Sequence, residues 1–276
     1  MRVLKAINNN VVSCVDDSGR ELIAMGKGLG FRSKAGDVLR PEDAEKVFRM
    51  ESDEEFSRFK DVLSQLPVRL LELCTRIIDH ADHVLGRQLS ESIYLTLTDH
   101  VNFALERMHR GIQLHNALVT EMRVFYPGEF AVGQYALEQI AAQEGVQLPE
   151  DEAASIAMHL VNAQYNSSIN TTMHVVQVLQ PMIDIIEGWP GLCLNKTHLY
   201  YNQLIVDLKF IAMQAFSQTP SGWGSSELED MAKKRYPEAY ACAEATAGYL
   251  SRQSGRPIPK EEQAHLAICI RRACIS

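Results

Sequence analysis

The strongest constraint on this chain is that it repeats itself. Shifted by 110 residues, the stretch 126–160 aligns without a gap on 236–270: Tyr126 meets Tyr236, Pro127 meets Pro237, Phe130 meets Tyr240, Gly145 meets Gly255, Pro149 meets Pro259 and Glu152 meets Glu262. An offset of 107 places 98–104 on 205–211, with Phe103 on Phe210. Each match has a physical use. Gly145 and Gly255 can close a helix in the left-handed conformation, and Pro149 or Pro259 followed by acids can open the next one. The chain therefore carries two copies of a helical domain, expected at 65–170 and 171–276 and divided in the polar stretch NSSINTT.

The first forty residues obey a different pattern. VLKAI, NNVVSCVDD, RELIAMG and the stretch around GFR are short β-branched or alternating runs, separated by Asn-Asn-Asn, Asp-Asp-Ser-Gly and the glycines Gly26, Gly28 and Gly30. They describe a small antiparallel sheet. From Pro41 onward EDAEKVF, FSRFKDVLSQL and VRLLELCTRIIDHADHVL place apolar residues three and four apart, the helical spacing. The expected organisation is multi-domain, β then all-α: a sheet module at 1–56, a linker at 57–64 and the two helical bundles. So small a sheet buries little apolar surface, and homodimerisation is the natural remedy in the absence of a disulfide or metal signal.

Charge singles out the same segment. Residues 1–40 hold seven Lys/Arg and four Asp/Glu, a balance of +3 in a chain whose total is −8. If nucleic acid binds anywhere, electrostatics favours this end. Six cysteines, at 14, 74, 193, 242, 269 and 274, form no C-x-x-C pair and suit reduced thiols in a cytoplasm. No run of 18 apolar residues is present, so no membrane insertion is expected. His80 and His83 lie three apart, but no third ligand is spaced to join them, and no metal or other cofactor is expected.

INNNVV, MGKGLGF, SIYLTLTDHVNFALER, LPEDEAASIAMHLVNAQ and DLKFIA, in that order and spacing, resemble the BglG/LicT type of bacterial transcriptional antiterminator over essentially the whole chain. The resemblance implies a dimeric RNA-binding module that grips a hairpin in an mRNA leader and excludes an overlapping terminator. It also implies two phosphotransferase-system (PTS) regulation domains, with the sugar permease and the phosphocarrier protein as partners. RNA recognition carries over to Asn10, Gly26, Lys27 and Phe31, and further to Lys5, Asn8, Gly28 and Arg32. Amides supply paired donors and acceptors, lysines meet phosphates, glycines admit close backbone approach, and a ring stacks on an exposed base.

The same resemblance makes His100 and His159 the regulatory phosphorylation sites of the first helical domain. Neutral imidazole is nucleophilic near pH 7, and a phosphoryl group changes local charge enough to make or break an interface. Asp99 stands beside His100 as a group that could orient the ring. The second domain departs from the pattern: the repeat places Asp207 opposite His100 and Cys269 opposite His159, and neither is a usual phosphohistidine. Asp207 supplies one fixed negative charge, an expected partial mimic of the activating phosphorylated state. His265, four residues before Cys269, is out of register with the missing site.

Two rivals differ in class. A PTS-regulated DNA-binding activator would need a helix-turn-helix, and no such pair of helices is readable before residue 60. An enzyme could be drawn around Asp99, His100 and His159, yet no nucleophile elbow, phosphate loop or HExxH motif accompanies them, so no catalytic residue is assigned.

Overall fold

A computed structural model describes residues 1–49, 67–112, 114–217 and 226–274. Four antiparallel strands, β1 (Arg2–Ala6), β2 (Val11–Val15), β3 (Glu21–Met25) and β4 (Lys46–Phe48), pair in chain order. A short helix α1 (Leu29–Arg32) follows β3. Ten further helices complete the described chain: α2 (Val68–Leu85), α3 (Ile93–His109), α4 (Val119–Phe125), α5 (Pro127–Glu144), α6 (Glu150–Tyr165), α7 (Ile169–Glu187), α8 (Leu199–Phe216), α9 (Ser226–Arg235), α10 (Pro237–Ser254) and α11 (Lys260–Ala273). The expected order of a small sheet before duplicated helical domains is what forms. The expected linker at 57–64, and the FSRFKDVLSQL stretch, lie outside the described residues.

Asp-Asp-Ser-Gly turns β2 into β3. Oδ1 of Asp16 accepts from the backbone N–H groups of Ser18 and Arg20, and Gly19 takes the positive φ of 81° that the turn requires. Register runs from Val11 opposite Met25 to Val15 opposite Glu21. In β1 the pairing slips at Leu4, a bulge between Val3 and Lys5. The outer edge of β1 is not left open. The Val3 N–H donates to the Asp37 carbonyl, Gly36 N–H donates to the Val3 carbonyl, and Leu39 N–H donates to that of Met1.

Side chains alternate across the sheet. Val12, Cys14, Leu22 and Ala24 pack with Val3, Leu29 and Leu39 on one face. Val11, Ile23, Met25 and Phe48 on the other share a core with Leu70, Leu73, Cys74 and Ile77 of α2 and with Tyr94 and Leu97 of α3. The Phe48 and Tyr94 rings meet edge to face, centroids 4.9 Å apart. The sheet thus draws a core from its own chain, so its small size does not by itself require a second copy.

Two expectations are corrected here. The stretch around GFR is the helical turn α1 rather than a strand, and EDAEKVF is not a helix. Pro41–Asp43 makes a single 3-10 turn, with Asp43 accepting from Arg40, and Lys46–Phe48 then pairs with β3. Pairing with an existing strand and burial of Phe48 outweigh a spacing too short to nucleate a helix.

Compactness groups 1–116 with 128–166, and 117–127 with 167–276, so α4 belongs with the second set of helices. The glycine and proline signals behave as read. Gly145 and Gly255 end α5 and α10 with φ of 69° and 71°, while Pro149 and Pro259 are the N-cap residues of α6 and α11. NSSINTT is brief as a boundary: Ser168 caps α7 by accepting from Thr171 N–H, and the helix starts at Ile169.

Gly30 has no room for a side chain. A Cβ there would lie 1.9 Å from the Asn8 carbonyl oxygen. Gly30→Ala must push α1 away from the Asn8–Asn9 segment, and urea denaturation of the full chain is expected to show a loss of about 1–3 kcal/mol.

Candidate RNA surface and phosphoacceptor centre

At the sheet's loop end, Asn10 organises the turn that carries α1. Its Oδ1 accepts from Gly28 N–H at 2.8 Å, and its Nδ2 donates to Oε1 of Glu72 on α2 at 2.5 Å. Gly28 takes a φ of 66°, which glycine adopts at little cost. Phe31 N–H donates to the Asn9 carbonyl, which ties α1 to the Asn-Asn-Asn segment. The consequence is an aromatic ring set outward: Phe31 is 85% exposed, on a module whose other large apolar groups are mostly buried.

The residues expected to meet RNA divide into three sets. Lys5, Lys27, Phe31 and Arg32 are exposed on the surface. Asn10 and Gly26 are buried. Asn10 spends both ends of its carboxamide on Gly28 and Glu72, and the backbone that closes on Gly26 is the chain's own, at Asp43–Glu45. Asn8 is half-buried, its Oδ1 accepting from Asn10 N–H, and Gly28 is likewise half-buried.

The first helical domain brings His100 on α3 and His159 on α6 together, ring centroids 4.8 Å apart and planes tilted by 44°. The carboxylate at His100 is that of Glu152, with Oε2 2.9 Å from Nε2, and Arg107 holds the other oxygen at 2.7 Å. The Nε2 contact is close but not aimed as a hydrogen bond. Side chains one residue apart on a helix point in different directions, and the packing of α3 on α6 brings Glu152 to His100 where the sequence offered Asp99. Glu152 and Arg107 were open to sequence reasoning only indirectly. Arg107 lies seven residues, two helical turns, after His100, and Glu152 looked like a helix-opening acid.

Burial alone would raise the Glu152 carboxyl, but His100 and Arg107 overcome this and hold it below the usual carboxylate range. For His159, burial first and the charge of His100 second push the imidazole down to about 3, against a smaller opposing effect of Glu152. It is a neutral base at physiological pH, the form that accepts a phosphoryl group.

In the second helical domain Asp207 on α8 meets His265 and Cys269 on α11. Nε2 of His265 lies 3.5 Å from the Cys269 sulfur and 3.7 Å from Oδ1 of Asp207, which also accepts from Gln203. Burial would raise the Asp207 carboxyl, yet contacts with His265, Cys269 and Gln203 lower it, while Asp207 in turn raises His265. The charge expected to imitate a phosphoryl group is therefore turned inward onto three neighbours. His265, out of register by sequence, still reaches the site.

Comparison with known proteins identifies the domains that carry these residues. Residues 1–57 match the CAT RNA binding domain, and 75–163 and 180–273 each match the PRD domain. The chain is 36% identical to the transcription antiterminator LicT of Bacillus subtilis (strain 168), covering 99% of this chain and 98% of that protein. This chain belongs to the CAT–PRD transcription antiterminator family. A beta-glucoside operon antiterminator of Dickeya chrysanthemi is 38% identical, over 99% of this chain and 96% of the relative. The crystal structure of GlcT CAT-PRDI superposes with a TM-score of 0.55 at 31% identity, covering 59% of this chain and 97% of that one. Among the described residues of the CAT–PRD chain, no helix is long and apolar enough to cross a membrane.

The depressed imidazole of His159 gives a signed expectation. An unfolded histidine takes up its proton near pH 6.5, whereas the folded one resists until about pH 3, so the unfolded state binds more protons between these values and stability falls as the pH is lowered through them. Denaturation series between pH 7 and pH 4 are expected to show a shallower fall for His159→Gln than for the parent chain.

Proposed function

We infer that this chain is a transcription antiterminator whose amino-terminal sheet binds a hairpin in an mRNA leader and whose helical domains adjust that binding to sugar supply. The observation that carries the RNA half is the outward ring of Phe31. An exposed aromatic on a small basic module suits stacking on an unpaired base, with Lys5, Lys27 and Arg32 supplying phosphate contacts. Asn8, Gly26 and Gly28 shape the loop beneath it. Asn10 joins the contact when its carboxamide leaves Glu72. The RNA-bound form is a homodimer, and its occupation of the hairpin prevents the overlapping terminator from forming. Nascent mRNA places this work in the cytoplasm, where the free cysteines of the described chain are at home.

Regulation belongs to the His100–His159 centre. Each is a site for a phosphoryl group delivered through the PTS sugar permease when its sugar is absent. A phosphoryl group adds about −1.5 to −2 charge, here beside the buried Glu152 carboxylate in a centre already filled by two rings. The closed arrangement of α3 and α6 does not tolerate that charge, so phosphorylation opens it and lowers RNA binding. Asp207 and Cys269, standing where the first domain has histidines, leave the second domain little for the phosphocarrier protein to modify. No catalytic step is assigned to the chain.

In a gel-shift titration with the leader hairpin, Phe31→Ala is expected to cost about 1–3 kcal/mol, the range for one lost base–aromatic stack, and duplex DNA should not compete. Unchanged affinity would remove Phe31 from the interface, and competition by duplex DNA would favour a DNA-binding activator. Phosphopeptide mapping of cells deprived of the inducing sugar should place phosphate on His100 and His159, and the double variant His100→Ala, His159→Ala should antiterminate with or without sugar. Phosphate at neither position would refute the regulatory half.

A further inference from the structure

The second helical domain has lost the charge balance that the first maintains. In the first, buried Glu152 faces Arg107 and His100. In the second, Glu262 holds the position of Glu152 and is also buried, but Gln214 stands where the repeat has Arg107 and Asp207 where it has His100. One acid has been gained and two cation-forming groups lost. His265, one turn after Glu262, replaces part of that charge. Arg272 adds some from the following turn, although its guanidinium lies over the Tyr200 ring at 4.1 Å.

Within this electron-rich centre three different ligand atoms converge. A carboxylate oxygen of Asp207, an imidazole nitrogen of His265 and the sulfur of Cys269 all lie within 4.8 Å of one another. His265 and Cys269 are four residues apart on α11 and so share a face, while Asp207 approaches from α8. Bonds of about 2.3 Å to sulfur and about 2.0 Å to nitrogen in a tetrahedral ion separate those two atoms by about 3.5 Å, and the observed separation is 3.5 Å. The nitrogen–oxygen gap of 3.7 Å needs to close by only a few tenths of an ångström, and the sulfur–oxygen gap, within 4.8 Å, closes by a turn of the Asp207 side chain toward Cys269. Sulfur, nitrogen and carboxylate together suit zinc, whereas magnesium and calcium call for oxygen alone. Half-exposed His265 gives the ion a way in, and buried Cys269 closes the far side.

We propose that Asp207, His265 and Cys269 form a binding site for one tetrahedral divalent transition-metal ion, zinc by its ligand set, with water in the fourth position. On binding, the Cys269 thiol loses its proton to solvent and its sulfur bonds the metal, with no change of oxidation state. The ion ties α8 to α11 at the place where the first domain holds its histidine pair. The site stands on its own geometry and is independent of how the first domain is phosphorylated.

The test is a titration of the full chain with cobalt(II) under a non-thiol reductant, followed by displacement with zinc. One equivalent is expected to give the intense visible bands of a tetrahedral ion and a thiolate-to-metal charge-transfer band, and zinc should erase both. Cys269→Ser should lose the charge-transfer band, while His265→Ala and Asp207→Asn should each weaken binding by about tenfold or more. The double variant Cys193→Ser, Cys274→Ser should keep the spectrum. Should Cys269→Ser fail to fold, His265→Ala at its half-exposed position decides. Absence of a tetrahedral spectrum at stoichiometric cobalt would overturn the site, as would an unchanged cobalt affinity in His265→Ala, which would place the ion elsewhere.

Discussion

A sheet with apolar side chains on both faces must cover both. Here the loop carrying Leu29 and Leu39 covers one, and α2 and α3 cover the other, with Phe48 set against Tyr94. Burying a phenylalanine stabilises by about 1.5–3 kcal/mol, so this contact alone is comparable with the whole stability expected of an isolated module of this size. The sheet and the first helical domain consequently share a core. The Asn10–Glu72 hydrogen bond extends that connection to the loop bearing Phe31, which places the proposed RNA surface two side chains away from α2.

The helical copies show how one scaffold can hold different chemistry. Matching glycines and prolines fix where the helices end and begin, so equivalent positions on equivalent helices still converge. What converges has changed. In the first copy an ion-paired carboxylate meets the His100 ring, and beside it lies that of His159, kept neutral by burial. In the second, a carboxylate, an imidazole and a thiol face one another. Backbone geometry was retained through the duplication while the charge inventory at its centre diverged.

The parts of this fold legible in the sequence are those written in local patterns. Asp-Asp-Ser-Gly sets a hairpin, Gly255 and Pro259 set a helix end and the next beginning, and alternation in VVSCV sets two faces. β4 was hidden because three residues are too few to display a period, and EDAEKVF has helical spacing. The carboxylate partner of His100 was hidden for a different reason. Glu152 is 52 positions away, and only the packing of α3 on α6 selects it over the adjacent Asp99. Asp207 and Cys269 were visible as departures from the repeat, but their meeting with His265 depends on how α8 lies on α11. Asn10 entered as an RNA contact through the resemblance, and only the fold shows its carboxamide spent on Gly28 and Glu72.

The segment at 36–39 that bonds to Met1 and Val3 has a bearing on self-association. A strand whose outer amides and carbonyls are already spoken for cannot serve as a template for a neighbour's strand, and β4, only three residues long, offers a poor ladder on the opposite flank. Growth of the sheet from molecule to molecule, the route to fibrous aggregates, is hindered at the start of β1 and stunted at β4. Apposed surfaces are then the easier way for two copies to meet.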